Sequence, residues 1–544
     1  MRIALAQINP TVGDLKGNFL KIKENILKAI EFKADIVIFP ELAVTGYPPE
    51  DLLLKPNFIR DNLKKLKEIT SLTKDITTIV GFVDKVGKDI YNSAAVLSNN
   101  KIKGIYHKIY LPNYGVFDEQ RYFKSGDKPF IFNIKGVSCG VIICEDIWHE
   151  EGPLELEVKR GAKVLFVLNA SPYYAGKVHK REKVIKKQAK ENKIFIAYVN
   201  MVGGQDELVF DGSSMIVDPN GKTILQSESF KEDLLFYDIP LTKEDKGSHK
   251  PPLPEKKFKK LSLIEEVYNA LILGLKDYIN KNNFKKVVIG LSGGVDSSLV
   301  ATLAVDAIGK ENVIGVFMPS KYSSIGSKED AEEVAKNLGI KLLTIPIQEI
   351  FETYLKILNP VFSGLKEDIT EENLQARIRG NIIMALSNKF KYLALATGNK
   401  SEMSTGYATL YGDMAGGFAV IKDVPKMLVY ELCRYRNSIS FVIPERVLTK
   451  APTAELKPNQ KDSDTLPPYP ELDPILKLYI EEDKEAKEII KMGFNEKTVY
   501  NVLKMVDKSE YKRRQAAPGI KITPKAFGKD RRMPITNKYT NSTQ

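Results

Sequence analysis

Short apolar runs recur through the first half of the chain, and only some are separated by helical patterns. Runs at 2–8, 36–39, 77–82, 93–97, 137–143, 164–168, 194–199 and 215–217 read as strands. Apolar positions spaced three and four apart over 18–32 and 177–192 read as helices. Several neighbouring strands have no helix between them, so this half does not wind a simple doubly wound sheet. Mixed sheets packed on each other with helices outside, an αββα sandwich, fit the pattern.

The second half alternates more regularly. Buried-strand runs at 287–291, 313–317, 342–345 and 392–396 are interleaved with helical segments such as 298–308 and 328–338. That order predicts a doubly wound parallel α/β sheet, with ligands at the carboxyl ends of its strands. Between the halves, EDKGSHKPPLPEKKFKK at 244–260 is charged, proline-rich and almost without apolar periodicity. It reads as an extended linker. The expected organisation is a first domain over 1–245, a linker over 246–260 and a second domain over 261–544. No internal repeat is visible, and the tail from Tyr511 is basic and rich in Pro and Gly.

Composition narrows the class. A chain of 544 residues can bury more than one core. Its 43% hydrophobic and 28% charged residues are ordinary for a globular protein. No apolar run approaches a membrane span, so no membrane partner is expected. The start, MRIALAQINP, lacks the long apolar core and cleavage site of a signal peptide, which predicts a cytoplasmic location. The cysteines are Cys139, Cys144 and Cys433, an odd and sparse set that argues against a disulfide framework or a zinc site. The formal net charge is +12, spread along the chain rather than blocked. Acidic, phosphate-bearing small ligands explain it better than nucleic acid.

The strongest local signal is KKVVIGLSGGVDSS at 285–298. A β-branched run ends in Gly290, Leu291, Ser292, Gly293, Gly294, Val295, Asp296 and Ser297, and a helix pattern follows. Glycines let backbone N–H groups approach an anion, the helix N-terminus adds positive potential, and Ser292, Ser297 and Ser298 offer hydroxyls. The loop lacks the GK[ST] ending of a Walker A loop. Asp296 suits such a place if it caps the helix or holds a divalent cation. The plainer alternative is a glycine-rich strand-to-helix turn. SGGVDS resembles the pyrophosphate loop of the ATP pyrophosphatases, which implies adenylation of an acceptor with pyrophosphate leaving.

Downstream, ENLQARIRG at 372–380 opens a helix, and a strand ends in ATGNKSE at 396–402. With GYATLYGDMAG at 406–416 and SEYKRRQAAPGIKIT at 509–523, these segments resemble the synthetase domain of NAD synthetases, across nearly all of 261–544. The resemblance implies that residues 290–297 and Thr397 contact ATP, and that Asn373, Glu402 and Lys512 bind deamido-NAD. It makes Asp296 and Glu402 the candidate magnesium carboxylates. It also gives Asp413 a place in a lid and Lys426 one facing ATP phosphate.

In the first half, FPEL at 39–42, YHK at 106–108 and CED at 144–146 each follow an apolar run. A core role suits Cys139. It suits Cys144 poorly, because the carboxylates beside it are costly to bury without a purpose. The three segments in this order resemble the nitrilase, or carbon–nitrogen hydrolase, family. That resemblance implies Glu41 as general base, Lys108 as stabiliser of the tetrahedral intermediate and Cys144 as nucleophile. A thiol attacks a carboxamide only as thiolate, which needs a base in reach, and a fixed cation helps where the oxyanion develops. LPNYGVFDEQRYF at 111–123 sharpens the resemblance to the glutaminase domain of glutamine-dependent NAD synthetases, with Tyr114, Ser171 and Lys177 contacting L-glutamine. Glu119 reads equally as a second acid beside Lys108 or as a solvated loop acid, and His107 as an orienting or packing residue.

The two halves make chemical sense together. Ammonia released into water at neutral pH is protonated and loses its nucleophilic lone pair, so a protected path between the domains is expected. The implied reaction amidates deamido-NAD to NAD, using ATP as co-substrate, Mg2+ and nitrogen from L-glutamine, in a homo-oligomer. The rivals are a tRNA-modifying ATP pyrophosphatase, amidation of another carboxylate, and an inactive scaffold. The first leaves the amidase motifs unexplained, and the last leaves Glu41, Lys108 and Cys144 unexplained.

Overall fold

The computed structural model describes residues 1–240, 250–254 and 258–539. The expected linker over 246–260 therefore lies partly outside the described residues. The chain divides into two compact units, Met1–Leu261 and Ser262–Gln544.

The first unit holds two six-stranded sheets. One runs Asp233–Asp238, Arg2–Gln7, Ile36–Ile38, Thr77–Val86, Asp89–Ser98, Lys101–His107 from edge to edge. The other runs Thr223–Gln226, Met215–Val217, Phe195–Asn200, Val164–Asn169, Val137–Ile143, Ile131–Ile134. Both are mixed, with parallel strands inside and antiparallel partners toward the edges. Period-two alternation decides the layers. Ile3 and Leu5 join Val141, Ile143, Leu165 and Val167 in one core between the sheets. Ala4 and Ala6 face the opposite core, with Ile22 and Ile26 of the helix Leu15–Glu31. A one-residue slip would exchange these faces, at about 2 kcal/mol for each large side chain exposed.

The helix Leu15–Glu31 begins earlier than its apolar spacing indicates. The Asp14 carboxylate accepts the Gly17 N–H at 2.8 Å, and this cap lies outside the apolar repeat. Residues 250–254 lie against the first unit: Lys250 pairs with Asp35 at 3.0 Å, the Pro251 carbonyl accepts from Arg2, and Leu253 packs on the core.

The second unit has one five-stranded parallel sheet in the order Lys341–Thr344, Val313–Phe317, Val287–Gly290, Leu393–Ala396, Phe418–Ala419. The chain grows outward from Val287–Gly290 in one direction, then returns to add Leu393–Ala396 on its other side. The strand order thus reverses between these two neighbours, where open α/β sheets leave a crevice at their carboxyl ends. The helix expected to open at 372 instead opens at Ile369, so ENLQARIRG lies inside it. Asp368 and Glu371 form the capping box that starts it. The Pro/Gly-rich tail is pinned down. Ile520, Ile522 and Thr523 are buried, and Asp423 accepts from the N–H groups of Ile522 and Thr523. Among the described residues no helix is long and apolar enough to cross a membrane.

Candidate active sites

In the first unit, strand ends bring the three amidase motifs to one buried place. Glu41 lies beyond Ile36–Ile38, Lys108 directly after Lys101–His107, and Cys144 directly after Val137–Ile143. Gly81 lets the Glu41 backbone approach its neighbour strand, because a Cβ there would sit 2.4 Å from Leu42 N and 2.5 Å from Pro40 O. Lys108 Nζ donates to Glu41 Oε1 at 2.7 Å and to Glu119 Oε1 at 2.8 Å. The Glu41 carboxylate also accepts from Asn92 Nδ2 at 2.7 Å and from the Ala170 N–H at 2.9 Å. Of the two readings of Glu119, the structure selects the buried acid, since it also accepts from Tyr47 OH at 2.9 Å.

Burial pushes the Cys144 thiol well up, Glu41 adds to this, and Lys108 opposes it. The resting sulfur is therefore a thiol that must lose its proton to act. Burial disfavours the Lys108 ammonium, but Glu119, Glu41 and the Cys144 sulfur together hold it charged. Glu119 is raised to about 7 by burial, with Lys108 opposing and Glu41 adding. Cys144 itself sits at φ +46°, a strained left-handed conformation for a residue with a Cβ, at the start of the turn Cys144–Trp148.

Asp146 explains how that turn is held. Its carboxylate accepts from Tyr106 OH at 2.8 Å and from the N–H groups of Ile109, Tyr110 and Ile143 at 3.2, 2.8 and 3.1 Å. It thereby ties the residues following Lys108 to the residue preceding Cys144. Burial raises it to about 6 despite these donors. The acidic turn that set Cys144 apart in the sequence is thus partly structural. His107 packs: its ring stacks on Tyr91 at 4.1 Å and Nε2 lies 2.9 Å from Asp84. Cys139 is core, as its place on the strand suggested, with burial pushing its thiol to about 12.

The three residues expected at glutamine are placed differently from one another. Tyr114 is exposed, and its hydroxyl donates to Glu145, the neighbour of Cys144, at 3.0 Å. Ser171 is buried, its N–H bonded to Asn200 Oδ1 at 2.9 Å, one residue beyond the N–H that serves Glu41. Lys177 opens the helix Lys177–Asn192 with Nζ over the rings of Tyr174 and Trp148, at 5.1 and 5.8 Å. Burial, and then the charge of Arg181, lower Lys177 to about 8. Arg181 is itself fully buried and doubly bonded to Asp211. Sequence reasoning missed Asn92, Tyr47, Asp146 and the Arg181–Asp211 pair. The available signal at Asn92 was slight, a polar residue directly before the apolar run at 93–97.

In the second unit, a cavity of about 660 Å³ opens at the strand-order reversal. Gly290, Leu291, Ser292, Gly294, Val295, Asp296 and Ser297 line one side, and Thr397, Asn373, Glu402 and Lys512 also reach it. Gly293 is not on this wall. It turns at φ +78° against Ser327, whose carbonyl would lie 2.3 Å from an added Cβ. Gly294 caps the helix Val295–Ile308, so Asp296 lies in its first turn. The Ser297 and Ser298 hydroxyls are bonded to the Gly294 carbonyl at 3.1 and 2.8 Å. Of the loop's backbone N–H groups, Leu291 donates to the Val316 carbonyl at 2.9 Å, Ser292 to the Ser297 hydroxyl at 3.2 Å and Gly294 to the Ser292 hydroxyl at 3.2 Å.

Asp296 and Glu402 converge on one cation. Lys426 Nζ pairs with Asp296 and lies 3.4 Å from Glu402 Oε1, and Asn399 Nδ2 donates to Asp296 at 2.9 Å. Asn399 and Glu402 form the capping box of the short helix Lys400–Thr405, which fixes the Glu402 side chain. Burial raises Glu402 to about 8, opposed by Lys426 and reinforced by Asp296. With both acids ionised the two carboxylates would carry one charge more than Lys426 balances, which a second cation would offset. Among the described residues no group of three or more His, Cys, Asp or Glu surrounds a metal position. A divalent cation here would take its remaining oxygens from phosphate and water, as magnesium does. Asn373 Oδ1 accepts from Thr409 Oγ1 at 2.7 Å, Asp413 Oδ1 accepts the Thr409 N–H, and Lys512 Nζ donates to the carbonyls of Gly406 and Ala408.

Comparison with known proteins places both halves of the chain in known families. The carbon–nitrogen hydrolase family model matches residues 2–245, and the NAD synthase family model matches 267–516. The glutamine-dependent NAD(+) synthetase of Thermotoga maritima is 50% identical over 99% of this chain and 99% of its own length. That of Aquifex aeolicus is 48% identical over 99% of this chain and 100% of its own. A solved glutamine-dependent NAD+ synthetase from Acinetobacter baumannii, in complex with ADP, is 44% identical, covers 100% of this chain and 99% of its own, and superposes with a TM-score of 0.78. Two domain families in this order, matched along the whole chain and each carrying its motif cluster, show that the chain belongs to the glutamine-dependent NAD(+) synthetases.

Proposed function

We propose that this chain converts deamido-NAD, ATP, L-glutamine and water to NAD, AMP, diphosphate and L-glutamate. The observation that carries the reading is the buried Glu41–Lys108–Glu119 cluster beside Cys144, on the same chain as a cavity walled by the SGGVDS loop. In this reading residues 1–245 are the glutaminase domain and 261–544 the synthetase domain.

At the first site Glu41 accepts the Cys144 proton and the thiolate attacks the glutamine carboxamide carbon. Lys108 faces the oxygen on which charge develops. The tetrahedral species collapses with return of the proton to nitrogen, releasing ammonia and leaving a thioester. Water, deprotonated by Glu41, hydrolyses the thioester to glutamate. Ammonia then passes to the second site uncharged. At that site the nicotinate carboxylate attacks the α-phosphorus of ATP, pyrophosphate leaves, and ammonia displaces AMP from the acyl adenylate. The backbone N–H groups of residues 290–297 hold phosphate, Thr397 contacts ATP, Asn373, Glu402 and Lys512 hold deamido-NAD, and Lys426 faces the leaving pyrophosphate. Asp296 and Glu402 would hold magnesium, which neutralises charge on the departing group when bound. Homo-oligomers belong to the same proposal. The exposed apolar positions Ile350, Tyr354, Ile357 and Val361, on one face of the helix Gln348–Phe362, support it.

Product analysis tests the reaction. Incubation with ATP, Mg2+, glutamine and deamido-NAD yields NAD, AMP and glutamate, and omission of any one reactant removes NAD. Formation of ADP instead of AMP, or amidation of a different carboxylate in its place, would overturn the reading.

Tyr114, Ser171 and Lys177 contact glutamine, with the Lys177 ammonium on the α-carboxylate. Its depressed value of about 8 sets a pH dependence. The cation is present below that pH and lost above it, so kcat/KM for glutamine falls above pH about 8 through a rise in KM. Lys177→Arg, charged throughout this range, flattens that limb. An alkaline limb unchanged in Lys177→Arg would assign it to another group.

A further inference from the structure

Asn92 is buried in the strand Asp89–Ser98, at the position opposite Lys108, whose N–H it receives on its own carbonyl at 2.9 Å. Its side chain reaches the same cluster from a second direction. Nδ2 donates to Glu41 Oε1 at 2.7 Å and lies 3.4 Å from Glu119 Oε2. One residue thus touches the base, the second acid and the lysine. Its Oδ1 is buried and has no hydrogen-bond partner among the described residues.

Leaving a buried oxygen bare costs stability; Asn169 shares that state, but its Nδ2 serves only backbone carbonyls, whereas the Asn92 Nδ2 faces two carboxylates. Leucine would fill a similar volume without that cost. The orientation is chemically fixed, because only an NH2 group can face two carboxylate oxygens; the reversed amide would put oxygen against oxygen. The remaining charged or titratable groups around the pair are Lys108, Tyr47, Tyr198 and Cys144. Lys108 serves both carboxylates at nearly equal distance, and so does not distinguish them. Tyr47 serves Glu119 alone, and Asn92 is short to Glu41 and long to Glu119.

We propose that Asn92 is a positioning residue of the amidase site, whose carboxamide orients Glu41 as the base and sets it apart from Glu119 on the lysine they share. A hydrogen bond to the charged form favours that form, and two carboxylates on one lysine compete for a single charge. The short N–H bond to Glu41 breaks the symmetry. This rests on the reading of Glu41 as base for Cys144.

The test compares glutamine hydrolysis by the full chain, wild type and Asn92→Leu, as a function of pH, scored as glutamate release. Without the N–H, the carboxylate pair loses a donor to its charged form and holds its shared proton to higher pH. The acid limb of the kcat/KM profile therefore moves up by about one pH unit, and kcat falls by about 30-fold or more. KM for glutamine changes by less than about 3-fold, because Asn92 does not touch glutamine. Asn92→Ala, which removes the donors without adding a charge, gives the same shift and decides the matter should the leucine variant not fold. A wild-type acid limb and kcat in a folded variant overturn the proposal. Failure of the base reading is distinguishable, because Glu41→Gln would then retain glutamine hydrolysis at near wild-type rate while Asn92 variants were judged on their own profile.

Discussion

Replacing Cys144 with alanine abolishes NAD synthesis from glutamine, by about 10⁴-fold or more, and leaves synthesis from added ammonium salt at the wild-type rate. The sulfur is the atom that carries the acyl group, and nothing nearby replaces it. Cys139 lies on the same strand but faces the core, its thiol held at about 12 by burial. Glu41, Lys108 and Glu119 spend their hydrogen-bonding capacity on one another and offer no second nucleophile. Paired measurements of glutamate and NAD with the two nitrogen sources check the expectation. Loss of ammonia-driven synthesis in a folded Cys144→Ala protein would mean that the two chemistries are not separable. Cys139→Ala serves as the contrast and keeps both activities.

The second large effect belongs to Asp296. Asp296→Ala removes NAD and AMP formation from either nitrogen source, by about 10³-fold. The carboxylate stands in the first turn of the helix after the SGGVDS loop, where it pairs with Lys426 and accepts from Asn399. Its loss leaves the buried Lys426 ammonium with Glu402 alone, 3.4 Å away. Lys426 then pairs with Glu402 and withdraws from phosphate, while one of two candidate magnesium oxygens is gone. The outcome is read as AMP and NAD per enzyme at saturating ATP and ammonia. Ammonia-driven synthesis above a tenth of the wild-type rate would show that the pair Asp296–Glu402 is not the cation site, and would shift that role elsewhere on the cavity wall. Raising magnesium concentration partly restores the variant if weakened metal binding is the cause, and does nothing if Lys426 misplacement is.

These two expectations share one physical theme. Both sites collect carboxylates around a single buried lysine: Glu41 and Glu119 around Lys108, Asp296 and Glu402 around Lys426. In each, one acid is raised by burial to the range where it holds a proton near neutrality, Glu119 to about 7 and Glu402 to about 8. With that acid protonated, one carboxylate and one ammonium remain and balance each other, the arrangement a dry site favours at rest.

Local pattern in the sequence already determined much of the architecture. Runs such as 137–143, 215–217 and 313–317 coincide with the observed strands, because a buried strand needs only its own few side chains to declare itself. The SGGVDS loop and the Asn399–Glu402 capping box are equally local, as their physics lies within a few residues. Short or sparsely apolar strands, such as Lys101–His107 and Ile131–Ile134, gave no comparable signal. Tertiary structure alone decided which polar groups share a buried volume. Glu119 could be a solvated acid or a partner of Lys108 until folding placed it beside Tyr47. Asn92 falls just before the apolar run at 93–97 and carries no signal of its own until strand register sets it against Lys108 and Glu41. Asp146 stands in the sequence only as a carboxylate near Cys144, and folding commits both its oxygens to holding two loops together. Periodicity encodes which face of an element is dry. The charge state and role of a buried carboxylate depend on donors tens of residues distant, whose positions are fixed only when the sheets pack.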